Sequence, residues 1–85
     1  MNKIILIIGA SGQIGTELTM QLRKKYGNQN VVATDIREDD GTLSKDGPFE
    51  VLDAMDYQGI ESIVIKYKIT DVYLLAAMLS ATAEK

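Results

Sequence analysis

The 85-residue sequence has no cysteine and no histidine. Without cysteine, disulfides, thiolate catalysis and Cys-based zinc sites are excluded from this segment. Without histidine, neither a Ser–His dyad nor a His-bound metal can be assembled, so no metal ligands are expected. No stretch approaches membrane-spanning length, and one lysine before the short apolar run Ile4–Ile8 is too little for a signal peptide. Nine basic residues stand against twelve acidic ones, interspersed, for a net charge of −3. A nucleic-acid surface needs a clustered basic patch and a membrane anchor a polybasic run, so neither partner is expected. On these absences the expected compartment is the cytoplasm. A chain this short is at most one small domain, and its stability alone is expected to be marginal. The apolar fraction of 46% is that of a globular domain, not a disordered one.

What is present is a clear alternation of elements. Ile4-Ile5-Leu6-Ile7-Ile8 is an unbroken, β-branched apolar run that stops at Gly9. A strand buried on both faces has no polar side, so this run reads as a central parallel strand. From Gln13 to Tyr26 the period changes: Ile14, Leu18, Leu22 and Tyr26 recur every fourth residue and share one helical face. Lys24 and Lys25 fall in the last turn, where the helix dipole favours cations, and Gly27 follows as the C-terminal stop. Val31–Thr34 is a second strand, ending at Asp35. Residues 37–48, closing on Gly47 and the single proline Pro48, read as a surface loop. Phe49–Leu52 is a third strand. Asp56 caps a helix through about Tyr67, with Ile60, Ile63, Val64 and Tyr67 inward and Gly59 weakening it somewhat. Val72–Leu75 is a fourth strand. The order β-α-β-β-α-β predicts an α/β fold, a Rossmann-type three-layer parallel sheet of about four strands. No helix follows to cover the fourth strand before Lys85, so the chain is expected to be the N-terminal part of a longer domain of this type.

The chemistry concentrates at Gly9-Ala10-Ser11-Gly12-Gln13-Ile14-Gly15, spaced G-x-x-G-x-x-G. Gly9 serves the sharp strand-to-helix turn, Gly12 leaves room for a pyrophosphate, and Gly15 lets helix and strand pack closely. The helix start then offers free N–H groups and a positive dipole end to phosphate. Ser11 adds a hydroxyl, and the Gln13 and Ile14 amides are donors. A ligand-free glycine turn has the same spacing, but the buried strand before it, the amphipathic helix after it and the acid twenty residues beyond Gly15 favour the dinucleotide reading. A Walker A loop is excluded, because Thr16, not lysine, follows Gly15.

Asp35 sits at the end of the second strand. Its carboxylate is placed to accept hydrogen bonds from the adenosine ribose hydroxyls and to repel a 2′-phosphate, which favours NAD over NADP. Arg37 either reaches such a phosphate or is a solvated loop charge. Asp53, between Leu52 and Ala54, reaches the adenine amino group or caps a turn. Ala76 and Ala77, after Leu75, let a cofactor lie flat against the backbone or simply pack tightly.

The sequence resembles the extended short-chain dehydrogenase/reductases. The carrying segments are Gly-Ala-Ser-Gly-Gln-Ile-Gly-Thr-Glu-Leu, Ala-Thr-Asp-Ile-Arg, Gly-Pro-Phe-Glu-Val-Leu-Asp and Leu-Ala-Ala-Met-Leu-Ser-Ala-Thr-Ala-Glu-Lys. Within that family it is most similar to the short-chain L-threonine 3-dehydrogenase branch, itself similar in fold to the UDP-galactose 4-epimerases. The resemblance implies an enzyme that oxidises the 3-hydroxyl of L-threonine with NAD to give 2-amino-3-oxobutyrate, working as a homodimer. It implies cofactor contacts at Gly9, Ser11, Gly12, Gln13, Ile14, Gly15, Asp35, Ile36, Arg37, Leu52, Asp53, Ala54, Leu75, Ala76 and Ala77. Ser80 would face the substrate, or is a helix cap. The family's catalytic pair is a tyrosine with a lysine four residues later. Here Tyr26, Tyr57, Tyr67 and Tyr73 are followed at that distance by Asn30, Glu61, Asp71 and Ala77, so no catalytic residue is expected in this chain. A nucleotide-sugar epimerase or dehydratase, and a non-catalytic NAD-binding redox sensor, are the competing readings.

Overall fold

A computed structural model describes residues 3–75. The elements are β1 (Ile5–Ile8), α1 (Gln13–Tyr26), a 3-10 turn (Asn28–Asn30), β2 (Val31–Asp35), β3 (Phe49–Val51), α2 (Tyr57–Tyr67) and β4 (Asp71–Leu74). The strands form one parallel sheet in the order β3-β2-β1-β4. β1 is central, as its unbroken apolar run requires. It pairs Ile5 with Val31 on one side and with Asp71 on the other.

Alternation along the strands sorts the core into two layers. Ile5, Ile7, Val31 and Ala33 face α1, where Leu22 and Tyr26 pack on them. Leu6, Ile8 and Val32 face α2, where Ile63 is buried and Ile60, Val64 and Tyr67 pack alongside. All four residues of β1 are at most 2% exposed, and burying a side chain of this size stabilises by roughly 1.5–3 kcal/mol. Among the described residues no helix is long and apolar enough to cross a membrane.

Both helix termini follow their sequence signals. The Asp56 side chain caps α2 by accepting from the Gly59 N–H at 3.0 Å. Gly27 stops α1 with φ 106°, and its N–H donates to the Arg23 carbonyl. The inward face of α1 differs from the expected one. Gly15, Thr19 and Arg23 form the buried stripe, Leu22 and Tyr26 flank it, and Ile14 is 73% exposed. The stripe is one residue further along than the apolar periodicity indicates. The reason is that Gly15 brings the helix start so close to the strand end that the centre of contact falls on small residues.

The 36–48 segment is more than a surface loop. β2 and β3 are parallel neighbours, so the chain between them must cross back over the sheet, a task usually given to a helix. Here an irregular segment does it and inserts Leu43, 1% exposed, into the core on the α1 side. Arg23 secures the crossover from the helix. Its guanidinium, 4% exposed, donates to the carbonyls of Val31 (3.2 Å from both Nε and Nη2), Leu43 and Pro48 (2.6 Å). Burial lowers the Arg23 pKa from its ordinary value, while Asp46 and Asp39 act in the opposite direction.

β3 and α2 are joined through Glu50, which accepts from Tyr67 Oη at 2.6 Å and Lys66 Nζ at 2.9 Å. The Tyr67 and Lys66 hydrogen bonds hold the Glu50 carboxyl below its ordinary value. A depressed carboxylate stabilises the fold above its unfolded pKa of about 4.3 and loses that contribution as pH falls through the folded value. Glu50→Gln is therefore expected to be less stable than wild type at neutral pH, with the gap closing as the medium is acidified through that range. Urea titrations at several pH values check this; a gap that does not change with pH would contradict it.

Candidate functional site

The chain leaves β1 through Gly9, whose φ of 89° lies in the left-handed region that a side chain disfavours. The turn is then secured to β2. The Gly9 and Ala10 N–H groups both donate to the Thr34 carbonyl, at 2.9 and 2.8 Å. The next amide, Ser11 N–H, donates to Asp35 Oδ2 at 2.9 Å, and Ile36 N–H donates to Asp35 Oδ1 at 2.7 Å. Thr16 Oγ1 lies 3.3 Å from the carbonyls of Ala10 and Ser11. The acid at the end of β2 thus helps fix the glycine turn, a role that spacing alone does not reveal.

The glycines divide by what surrounds them. A Cβ added to Gly15 would lie 2.7–2.8 Å from backbone atoms of Ala10 and Gly9, so the protein itself requires glycine there. A Cβ added to Gly12 would meet nothing within 4 Å, and its φ of −67° suits any residue. Nothing in the fold requires Gly12 to be glycine. Gly12 is the N-cap of α1 and no side chain caps that end, so the first helical amides face outward with the positive end of the dipole.

Beside this turn lies an open cleft of about 450 Å³ lined by Ser11, Gly12, Thr16, Asp35 and Arg37 together with Glu38, Asp39, Asp40 and Thr42. Of the residues expected from sequence, the structure brings Ser11, Gly12, Asp35 and Arg37 together there. Gly9, Gln13, Ile14, Gly15 and Ile36 belong to the same turn and strand end without lining the cleft. The third-strand group is apart from it. Leu52 is buried in the α2-side core, and Ala54 packs against that cluster. Asp53 is exposed, and its Oδ1 accepts from the Met55 N–H at 2.9 Å, the turn-capping alternative. Leu75 packs on the α1-side core. Ala76, Ala77 and Ser80 lie outside the described residues.

Thr16, Glu38, Asp39, Asp40 and Thr42 were not singled out from sequence. The signal was Asp39-Asp40-Gly41-Thr42, acids just before turn residues whose amides they can hold. Asp39 Oδ2 accepts from the N–H groups of Gly41, Leu43 and Ser44 at 2.8–2.9 Å. Burial pushes the Asp39 carboxyl up, but these bonds outweigh it and leave the group below its ordinary value. Asp40 is lowered in turn by Thr42, through its hydroxyl and then its amide. The cleft lining therefore carries four carboxylates against one guanidinium. Such a wall suits hydroxyl donors such as a ribose diol and opposes a second phosphate, while the helix start nearby suits an anion.

The arrangement has counterparts. The model of the NAD-dependent epimerase/dehydratase family matches residues 5–85. An uncharacterised epimerase/dehydratase of Staphylococcus saprophyticus is 52% identical over 84 residues, covering 98% of this chain. This chain spans 26% of that relative's length. Among solved structures, the L-threonine dehydrogenase of Clostridium difficile aligns with TM-score 0.80 and 43% identity, over 86% of this chain and 23% of its own. The GalE-like L-threonine dehydrogenase of Cupriavidus necator, in its holo form, aligns with TM-score 0.77 and 44% identity, over 96% of this chain and 26% of its own. The four-stranded parallel sheet with its two helices is the Rossmann-like arrangement of these neighbours. The chain belongs to the NAD-dependent epimerase/dehydratase family.

Proposed function

We propose that this chain builds the adenosine and pyrophosphate half of an NAD site in an oxidoreductase that acts on L-threonine. The observation that carries the cofactor reading is the juxtaposition of Asp35 and Gly12 on one cleft, a carboxylate at a strand end beside backbone that nothing in the fold requires to be bare. In this reading the pyrophosphate lies on the Gln13 and Ile14 amides at the start of α1. Asp35 accepts from the adenosine ribose through lone pairs that Ser11 and Ile36 leave free, since a carboxylate offers about four acceptor positions. The four carboxylates lining the cleft favour NAD over NADP. Asp53 keeps one oxygen for the adenine amino group, and Leu75, Ala76 and Ala77 continue the cofactor path. Bound NAD supplies the hydride acceptor, and this chain's part is to hold and orient it. Cytoplasmic location and a homodimeric enzyme complete the reading.

Support for threonine comes from the solved neighbours, named as L-threonine dehydrogenases at 43% and 44% identity, and from the resemblance of the Leu79–Lys85 tail, where Ser80 would face the substrate. The proposed reaction removes hydride from C3 and a proton from the 3-hydroxyl of L-threonine, giving 2-amino-3-oxobutyrate and NADH. A nucleotide-sugar epimerase or dehydratase is the second reading, favoured by the curated relatives at 48–52% identity, which are named uncharacterised epimerase/dehydratases. The test is to incubate the natural gene product with NAD and L-threonine and follow NADH absorbance. Threonine-dependent NADH formation is expected. No NADH with threonine, but turnover of a UDP-sugar, would move the assignment to the second reading.

A further inference from the structure

Arg23 is the most deeply buried charge among the described residues, and the cofactor site as proposed makes no direct use of it. Its guanidinium instead joins three pieces of chain: β2 through the Val31 carbonyl, and the crossover through the Leu43 and Pro48 carbonyls. The crossover is pressed against it so tightly that a Cβ at Gly47 would lie 2.8 Å from the Arg23 Cζ. The same crossover supplies Arg37, Glu38, Asp39, Asp40 and Thr42 to the cleft. Its turn is internally held by Asp39, and Leu43 and Arg23 anchor that turn to the core. One helix therefore borders the cleft at its start, through Gly12 and Thr16, and near its end secures the crossover that supplies the rest of the lining.

We propose that Arg23 is a positioning residue for cofactor binding: by clamping the 36–48 crossover to α1 and β2 it preforms the ribose-side wall of the cleft. The proposal rests on the reading of the cleft as an NAD site. A wall held in advance spares the cofactor the cost of ordering it. Release of the clamp is expected to raise the dissociation constant for NAD by roughly tenfold, the equivalent of immobilising one or two side chains on binding.

The experiment compares Arg23→Met with wild type in the natural gene product, by calorimetric titration with NAD and by the rate of tryptic cleavage after Lys45. Leu43→Ala is run in parallel, because it loosens the same crossover while leaving the guanidinium in place. Faster cleavage at Lys45 together with a roughly tenfold weaker NAD affinity is expected in both. A residue with a merely structural role would lower the melting temperature and leave the affinity unchanged well below it; that result overturns the proposal. Should Arg23→Met fail to fold, the same two readouts on Leu43→Ala decide. A wild type that binds no NAD overturns the cofactor reading and the positioning role together, whereas a wild type and variants that bind NAD equally overturn the positioning role alone.

Discussion

Gly15→Ala is expected to destabilise the fold severely, and Gly12→Ala to leave it nearly unchanged. The two positions lie one helical turn apart, yet the physics differs. At Gly15 a methyl group would meet the Ala10 carbonyl at 2.7 Å and the Gly9 carbonyl oxygen at 2.8 Å. They belong to residues whose N–H groups donate to the Thr34 carbonyl and so are held in place, and the helix must move off the sheet. Overpacking of this kind costs about 1–3 kcal/mol or more, against about 1 kcal/mol gained from alanine's better helix propensity. In a domain this small a net loss of up to roughly 2 kcal/mol is a large fraction of the total. At Gly12 the methyl enters open space with a permitted backbone. A poorer N-cap and a less flexible unfolded chain each change stability by about 0.5–1 kcal/mol in opposite directions and nearly cancel. The same methyl would occupy the volume a pyrophosphate needs. Thermal unfolding of both variants checks the stability half; comparable destabilisation at the two positions would contradict it.

The second large effect is expected at Asp35. Because both carboxylate oxygens accept from backbone amides, replacing the residue loosens the glycine turn for any dinucleotide. That part of the loss falls equally on NAD and NADP. The loss of hydrogen bonds to the ribose hydroxyls falls chiefly on NAD, while the loss of repulsion toward a 2′-phosphate helps NADP. Hydrogen bonds to a charged group are worth about 1.5–3 kcal/mol, so Asp35→Ala should reduce the preference for NAD over NADP by tenfold or more. Parallel titrations with the two cofactors read that ratio. An equal weakening of both would remove Asp35 from the ribose site and leave it only its role in the turn.

Much of this was legible in the sequence, for identifiable reasons. Strands buried on two faces write themselves as apolar runs, so Ile4–Ile8 announced the central strand. Asp56 before an apolar period announced the second helix and its cap. The glycine spacing announced the strand-to-helix turn, and Asp35 the end of the strand beside it. Three things were not legible. The inward face of α1 follows close backbone approach at Gly15, not apolar period, which is why Ile14 is exposed and Thr19 and Arg23 are buried. The crossover's charged composition reads as solvated loop, while its topological duty between parallel strands forces Leu43 into the core. Arg23 stands beside Lys24 and Lys25 at a basic helix end, and nothing in its composition marks it for burial. Its place in the four-residue series Gly15, Thr19, Arg23 was the signal that set it apart from Lys24 and Lys25.

The central claim is that a dinucleotide phosphate rests on the bare backbone at Gly12. The most direct test is calorimetric titration of wild type and Gly12→Ala with NAD, after circular dichroism has established that the two share one fold. The account predicts saturable binding by wild type and an affinity at least roughly tenfold lower for the folded variant, whose methyl must displace the phosphate. Equal affinities in two equally folded proteins would contradict it.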